Sequence, residues 1–130
     1  MSSIFSKIVE GEIPCYKVTE NDRFLAFLDI NPLAKGHTLV IPKNEVDYIF
    51  DLEDKQLEEM IVFAKKIARA IDKSVACLRV GIAVIGLEVP HAHIHLVPLN
   101  NIGDLNFANP KLKFTPEEFL STSKLIASNL

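Results

Sequence analysis

The chain lacks the features that mark disulfide-rich and membrane-spanning proteins. Its 130 residues contain two cysteines, Cys15 and Cys77, with no Cys-x-x-Cys spacing. Two isolated thiols favour a reducing compartment over a disulfide framework, with a single Cys15–Cys77 disulfide as the alternative. No apolar run reaches ~18 residues, so we expect no transmembrane helix and no membrane partner.

A basic surface and a secretion signal are also missing. Fourteen Lys and Arg against 17 Asp and Glu give a net charge of −3, which offers no basic field for nucleic acid. The N-terminus has no charged region followed by an apolar run, so no signal peptide is expected. We therefore predict a cytoplasmic protein that binds no nucleic acid. Its length and 48% hydrophobic content fit one domain over residues 1–130.

Histidine is concentrated in one segment. Three of the four histidines lie within residues 91–95 and alternate with apolar residues. In an extended strand, side chains at i and i+2 lie on one face, roughly 6–7 Å apart. His91, His93 and His95 should therefore share a face, and chance would scatter so few histidines along the chain. Imidazole titrates near neutral pH, binds metals and attacks phosphorus, so this segment indicates a functional site.

The apolar periodicity predicts an α+β fold with an antiparallel sheet of about five strands. Strands are expected over 16–19, 23–29, 37–42, 79–85 and 92–99, with a tight connection over 86–90. A short first helix has Ser3 as its N-cap and Gly11 at its end. The longest helix, expected from Asp51 or Leu52 to about Asp72 with Asp51 as N-cap, should pack on the sheet. The capping box at Thr115 announces a C-terminal helix.

Two chemistries fit the histidine strand. A His-x-His pair on a strand with a distant histidine can coordinate zinc, which would make His37, His93 and His95 the ligands. Alternatively, a neutral histidine attacks phosphorus while other imidazoles hold the phosphate oxygens or protonate the leaving group. The residue pattern alone leaves both open.

The segment His-Ala-His-Ile-His-Leu-Val over residues 91–97 resembles the signature of the histidine triad (HIT) family. Further segments resemble family blocks in family order. These are residues 4–14, 27–32, 36–43 and 86–90. The chain is similar to the Hint-like branch of bacterial HIT proteins.

The resemblance implies a mechanism and a role for each histidine. HIT proteins hydrolyse or transfer nucleoside monophosphates from phosphoramidates and related nucleotide esters through a covalent nucleotidyl-histidine. By motif position His93 would be the nucleophile, its Nδ1–H donating to a backbone carbonyl, and His95 would contact phosphate oxygens. His37 and His91 would orient the phosphate or relay protons. The backbone N–H groups of Glu88 and Val89 would hold phosphate oxygens.

The resemblance also implies a purine nucleotide such as AMP or GMP as ligand, and a homodimer whose sheets join across a two-fold axis. Asp29 matches the carboxylate that accepts hydrogen bonds from the ribose hydroxyls. The remaining pocket residues match apolar positions that sandwich the base. They are Phe5, Ile8, Phe27, Ile30 and Leu39.

Three departures from the family pattern bear on metal and substrate. Some members bind structural zinc through an N-terminal Cys-x-x-Cys and two histidines, where this chain has Ser3, Ser6 and Glu45. Hydroxyls are poor zinc ligands beside thiolates, so we expect no metal and no cofactor. Leu87 replaces a glutamine that can hydrogen-bond the leaving-group oxygen. The connection before Gly86 is shortened, and the asparagine-rich segment that contacts phosphate in relatives is hard to place, since residues 80–84 are apolar.

These departures leave three hypotheses. The first is a nucleotide hydrolase with a nucleotidyl-His93 intermediate. The second is a nucleotide-binding or interaction protein on a HIT scaffold with little turnover, which Leu87 favours. The third is the zinc enzyme described above.

Overall fold

A five-stranded antiparallel sheet forms the centre of the protein. The computed structural model describes residues 2–130. The strands are β1 (Lys17–Glu20), β2 (Phe24–Leu28), β3 (Thr38–Pro42), β4 (Arg79–Ala83) and β5 (Ile94–Leu99). They lie in the order β1-β2-β3-β5-β4, and each neighbouring pair is antiparallel. The predicted α+β fold is confirmed.

Three α-helices accompany the sheet. They are α1 (Ile4–Val9), α2 (Asp54–Ser74) and α3 (Pro116–Ser128), with short 3-10 turns at Ile49–Asp51 and Ile102–Leu105. Ser3 caps α1 by accepting the Ser6 amide, and Thr115 forms the predicted capping box with Glu118. Both predicted caps are confirmed, since local side-chain chemistry sets them.

The two faces of the sheet are covered unequally. The apolar stripe of α2, including Met60, Ala64 and Ile67, packs on one face with alternate residues of β2 such as Phe24. The opposite face holds a smaller cluster, where Phe5 of α1 packs against residues of β2 and β3. Because α1 has only six residues, this second face is left open enough to hold a cavity.

The predicted start of the long helix is wrong. Asp51 ends a 3-10 turn, Leu52 is extended with φ −68° and ψ 144°, and the N-cap position of α2 is Glu53. Ile49 and Leu52 are both buried. Their burial holds the chain in this turn and delays the helix.

The predicted hairpin before the histidines is confirmed, since β4 and β5 pair antiparallel, but the predicted tight connection over 86–90 is wrong. β4 ends at Ala83 and β5 begins at Ile94, so residues 84–93 form a loop. Part of this loop bonds elsewhere, since the Ala92 amide donates to the Val46 carbonyl at 2.7 Å. The residues just before His93 therefore lie outside the hydrogen bonding of the sheet. The loop that contains them lines part of the cavity.

Two further sequence expectations concern cysteine and membranes. Cys15 and Cys77 are both free thiols, so the single-disulfide alternative is not adopted. Within residues 2–130, no helix has the length and apolar character needed to cross a bilayer.

Candidate active site

A cavity of about 420 Å³ opens on the α1 side of the sheet. It is bounded by α1, the facing sides of β2, β3 and β5, the loop over 84–93 and part of the C-terminal segment. Every predicted site residue except His91 lines it. These are Phe5, Ile8, Phe27, Asp29, Ile30, His37, Leu39, Glu88, Val89, His93 and His95.

One ring nitrogen of His93 is fixed by a hydrogen bond to the backbone, which leaves the other available. Its Nδ1 lies 2.7 Å from the His91 carbonyl oxygen. A carbonyl can only accept, so Nδ1 carries the proton. The neutral ring then has its lone pair on Nε2, the nitrogen a nucleophile needs. The Phe5 ring packs edge-on against His93 at 5.0 Å between centroids and fixes the imidazole plane.

His37 and His95 form a hydrogen-bonded pair beside His93. The Leu33 amide donates to His37 Nδ1 at 3.0 Å, so this nitrogen is unprotonated and Nε2 carries the hydrogen. His37 Nε2 lies 3.0 Å from His95 Nδ1 and donates to it. The remaining proton of His95 is therefore on Nε2. The chain of hydrogen bonds leaves both rings neutral, with His95 able to donate.

The pKa shifts of the two histidines agree with this hydrogen-bond pattern. Burial lowers the pKa of His37 to about 3, assisted by the neighbouring His95 and Lys111. Burial likewise lowers the pKa of His95 to about 4, with a smaller contribution from His93. Both imidazoles are thus neutral near pH 7, where an uncharged ring can accept and donate at once.

Gly36 places His37. Its φ is +93°, a backbone conformation that residues with a side chain rarely adopt. A Cβ at this position would also lie 2.9 Å from Cγ2 of Val75. The glycine therefore lets the chain turn directly into β3 and brings the His37 ring under the cavity.

Asp29 lies at the end of β2, next to the histidine pair. Its Oδ1 accepts the Asn31 amide at 2.8 Å, and its Oδ2 is 3.5 Å from His37 Nε2. Burial raises the pKa of Asp29, and the hydrogen bond from the Asn31 amide partly opposes that shift. Among residues 2–130, Asp29, His37 and His95 also form a donor cluster that could hold a cation, with ligand atoms within 4.8 Å of one another.

His91 lies away from the cavity, in a separate buried network. Its Nε2–H donates to the Pro42 carbonyl at 2.8 Å, so its Nδ1 accepts from the Ser3 hydroxyl at 2.8 Å. Glu45 accepts from the Ser3 amide at 2.6 Å and the Ser6 hydroxyl at 2.7 Å. These bonds hold the Glu45 pKa at about 2.

This network does not fit the structural zinc that some HIT proteins carry. Ser3, Ser6, Glu45 and His91 do come together, as the resemblance implied. However, the hydroxyls offer no thiolate, and the lone pair on His91 Nδ1 already accepts a hydrogen bond. Hydrogen bonds therefore join α1 to the histidine segment here.

Sequence reasoning missed two cavity residues in the C-terminal segment, Phe107 and Lys111. The Phe107 ring packs against His95 at 4.7 Å and His37 at 6.1 Å between centroids. No periodic pattern marks residues 100–114, so only the long-range packing reveals that this segment covers the histidine pair.

The loop over 84–93 lines the cavity with Leu87, Glu88 and Val89. The Leu87 side chain is 89% exposed, so it packs against little of its own protein. The position where leucine replaces the glutamine of relatives therefore lies at a solvent-facing edge of the cavity.

Comparisons with known proteins point one way. A sequence model of the family described as the HIT domain matches residues 10–102. The adenosine 5'-monophosphoramidase hnt1 of Schizosaccharomyces pombe is 36% identical over 132 residues, covering 100% of this chain and 99% of its own. A Hit-like protein involved in cell-cycle regulation from Bartonella henselae has a solved structure with a TM-score of 0.85 and 30% identity, covering 99% of this chain and 97% of its own. A Zn-bound histidine triad family protein from Mycobacterium smegmatis gives a TM-score of 0.83 and 31% identity, covering 99% and 93%.

Proposed function

Because this chain belongs to the histidine triad (HIT) family, we propose that it is a nucleotide-binding hydrolase or transferase acting at the α-phosphorus of nucleoside phosphoramidates or related esters. One observation carries the proposal. His93 faces the cavity with Nδ1–H bound to the His91 carbonyl, which leaves the lone pair on Nε2 for attack. The monophosphoramidase name of the fission-yeast relative supports this substrate class.

The first step forms a bond from His93 Nε2 to phosphorus and breaks the bond to the leaving amine. The amine departs with its electron pair and takes a proton from solvent at the open edge of the cavity. His93 gains positive charge as the bond forms. The His91 carbonyl, bonded to Nδ1–H, stabilises that charge because it already accepts from this position.

The second step returns the enzyme. Water attacks phosphorus, the bond to His93 Nε2 breaks, and the nucleoside monophosphate is released with the proton lost by water passing to solvent. Replacing water by another acceptor gives transfer. The intermediate is a nucleotidyl-histidine, so one difficult displacement is divided into two easier ones.

Neutral donors hold the phosphate oxygens during both steps. His95 donates from Nε2, since its Nδ1 accepts from His37. In the proposed mechanism the backbone N–H groups of Glu88 and Val89, in the cavity-lining loop, bind the oxygens as charge develops. His91 acts from behind through its carbonyl and not by touching the substrate.

The rest of the cavity accommodates a purine nucleoside such as that of AMP or GMP. The Asp29 carboxylate accepts hydrogen bonds from the two ribose hydroxyls. The base lies among apolar side chains of α1, β2 and β3, which suit its flat surface. These are Phe5, Ile8, Phe27, Ile30 and Leu39.

The test is hydrolysis of adenosine 5′-phosphoramidate in the presence of chelator, by wild type and by His93→Ala. We expect turnover by wild type alone, since the variant lacks the nucleophile. Rapid acid quenching and mass spectrometry should detect a nucleotidyl adduct on wild type and none on the variant, with circular dichroism as the check that the variant folds. Turnover by His93→Ala at the wild-type rate would refute the mechanism.

A second candidate function is nucleotide binding with little turnover, which the exposed Leu87 favours because leucine cannot hydrogen-bond a leaving group. It predicts that wild type binds AMP in titration calorimetry but does not hydrolyse the phosphoramidate. Turnover that chelator abolishes and added zinc restores would instead support metal chemistry at the histidines.

A further inference from the structure

The proposed site has an imbalance of charge. A nucleotide phosphate brings one or two negative charges into a cavity already lined by Asp29 and Glu88. Hydrogen bonding leaves His37 and His95 neutral. Neutral donors hold a phosphate by hydrogen bonds but carry no net charge, so a cation nearby would add favourable Coulomb energy.

The structure holds one such group. Among the described residues lining the cavity, Lys111 is the only lysine or arginine. Its positive charge acts on the site. The pKa of His37 is lowered mainly by burial, then by the neighbouring His95 and then by Lys111. It also lies near Asp29, whose pKa burial raises and Lys111 partly lowers. Lys111 is therefore close to the junction between the ribose carboxylate and the histidine pair.

The surrounding segment fixes this position. Lys111 Nζ donates to the Phe107 carbonyl and, at 3.1 Å, to the Asn109 carbonyl. Phe107 itself packs on His37 and His95. An ammonium has three donors, so two protons hold the turn and the third is left for a ligand. The turn thus anchors a cation beside the histidines.

We propose that Lys111 is the phosphate-charge subsite of the cavity, binding the α-phosphate of the bound nucleotide through its ammonium group. This inference rests on the proposed function, because it assumes that a nucleotide occupies the cavity. His95 and the 88–89 backbone contact the same phosphate as neutral donors, and Lys111 adds the positive charge that favours a nucleotide over its nucleoside. The apolar walls treat the two alike.

The alternative is that Lys111 only closes the 107–111 turn. The two roles separate when the ligand is varied. We would measure binding of AMP and of adenosine by titration calorimetry to wild type, Lys111→Met and Lys111→Arg. Lys113→Met is the matched control, since Lys113 is exposed in the same segment but does not line the cavity.

The expected result is a loss of about tenfold in AMP affinity for Lys111→Met, the size of one charged hydrogen bond. Adenosine affinity should stay within about twofold, and Lys111→Arg should retain most AMP affinity because it keeps the charge. AMP binding to Lys111→Met should also depend less on salt. Lys113→Met should match wild type.

Two results would overturn the inference while leaving the proposed function intact. Equal losses for AMP and adenosine would mean that Lys111 acts only by holding the turn. Unchanged AMP affinity in Lys111→Met would mean that it binds no phosphate. Failure of wild type to bind either ligand would overturn the proposed function and this inference together.

Discussion

Ser3 takes part in two buried interactions at once. Its hydroxyl oxygen accepts the Ser6 amide at 2.9 Å as the N-cap of α1, and its proton goes to His91 Nδ1 at 2.8 Å. The first bond begins the helix that carries Phe5 into the cavity. The second secures His91, whose carbonyl accepts from Nδ1 of His93, the proposed nucleophile. One serine therefore links a structural cap to the geometry of His93.

Substituting Ser3 should therefore cost more than a surface mutation. Ser3→Ala removes the cap and leaves a buried imidazole nitrogen without its donor. We expect a loss of about 2 kcal/mol in the free energy of unfolding, from a cap and an unsatisfied buried acceptor. Urea denaturation measures it.

Ser2→Ala is the control for this substitution. Ser2 is exposed, and its loss should change stability by less than about 0.5 kcal/mol. If Ser3→Ala were as stable as Ser2→Ala, the hydrogen-bond network around His91 would contribute nothing, and another interaction would have to hold α1 in place.

At the scale of the element, local signals predicted what local chemistry decides. The Ser3 cap, the Thr115 capping box and the existence of each strand follow from short-range patterns, and the structure agrees. The start of α2 does not, because burial of Ile49 and Leu52 keeps Asp51 in a 3-10 turn. Tertiary contacts overrode the capping preference of an aspartate.

The candidate site divides in the same way. The histidine alternation placed His93 and His95 on the cavity side. It could not show that His91 lies outside the cavity, because β5 begins only at Ile94. The residues before it pair with the β3–α2 connection instead. Phe107 and Lys111 lay beyond prediction, since nothing local shows that an irregular segment folds back onto two histidines.

The edge strand β4 is the place where we propose that a second copy of the chain pairs, completing the homodimer. It ends the sheet order, so one of its sides has no strand beside it. Val80 and Ile82 share a face by alternation, but only Val80 packs against the core, and Ile82 is 49% exposed. An exposed apolar residue within an edge strand favours pairing.

Ile82→Lys should therefore convert the protein from dimer to monomer in sedimentation analysis, because a charge at the centre of the paired edge would be buried without a partner. Leu120→Lys on α3 is the control, since Leu120 is 47% exposed and lies away from β4. A wild type that sediments as a monomer would contradict the dimer, and a dimeric Ile82→Lys would place the interface elsewhere.

At the scale of the whole molecule, the fold gathers four elements and two irregular segments around histidines that are kept neutral. His37, His91 and His95 are all buried, and burial lowers the pKa of each. In the unfolded chain each imidazole titrates near 6.5. The unfolded state therefore binds more protons than the native state at mildly acidic pH. The same neutrality that suits phosphoryl chemistry makes the native state sensitive to acid.

Stability should fall as the pH is lowered from 7 toward 4. A histidine with a depressed native pKa stabilises the fold fully above about pH 6.5, and that contribution is lost as the pH falls toward the native values, about 3 for His37 and about 4 for His95. The raised pKa of Asp29 acts in the opposite sense. The net loss by pH 4.5 should be on the order of 2–4 kcal/mol.

Urea denaturation at pH 7.0, 5.5 and 4.5 would measure this loss. His37→Gln removes one of the titrating groups, so its stability should depend less steeply on pH than that of wild type, whatever its stability at pH 7. Equal slopes for the two proteins would show that His37 is not a source of the acid sensitivity. A wild type whose stability does not change between pH 7 and 4.5 would mean that the buried imidazoles accept protons in the native state, and the neutral wiring of His37 to His95 would then be wrong.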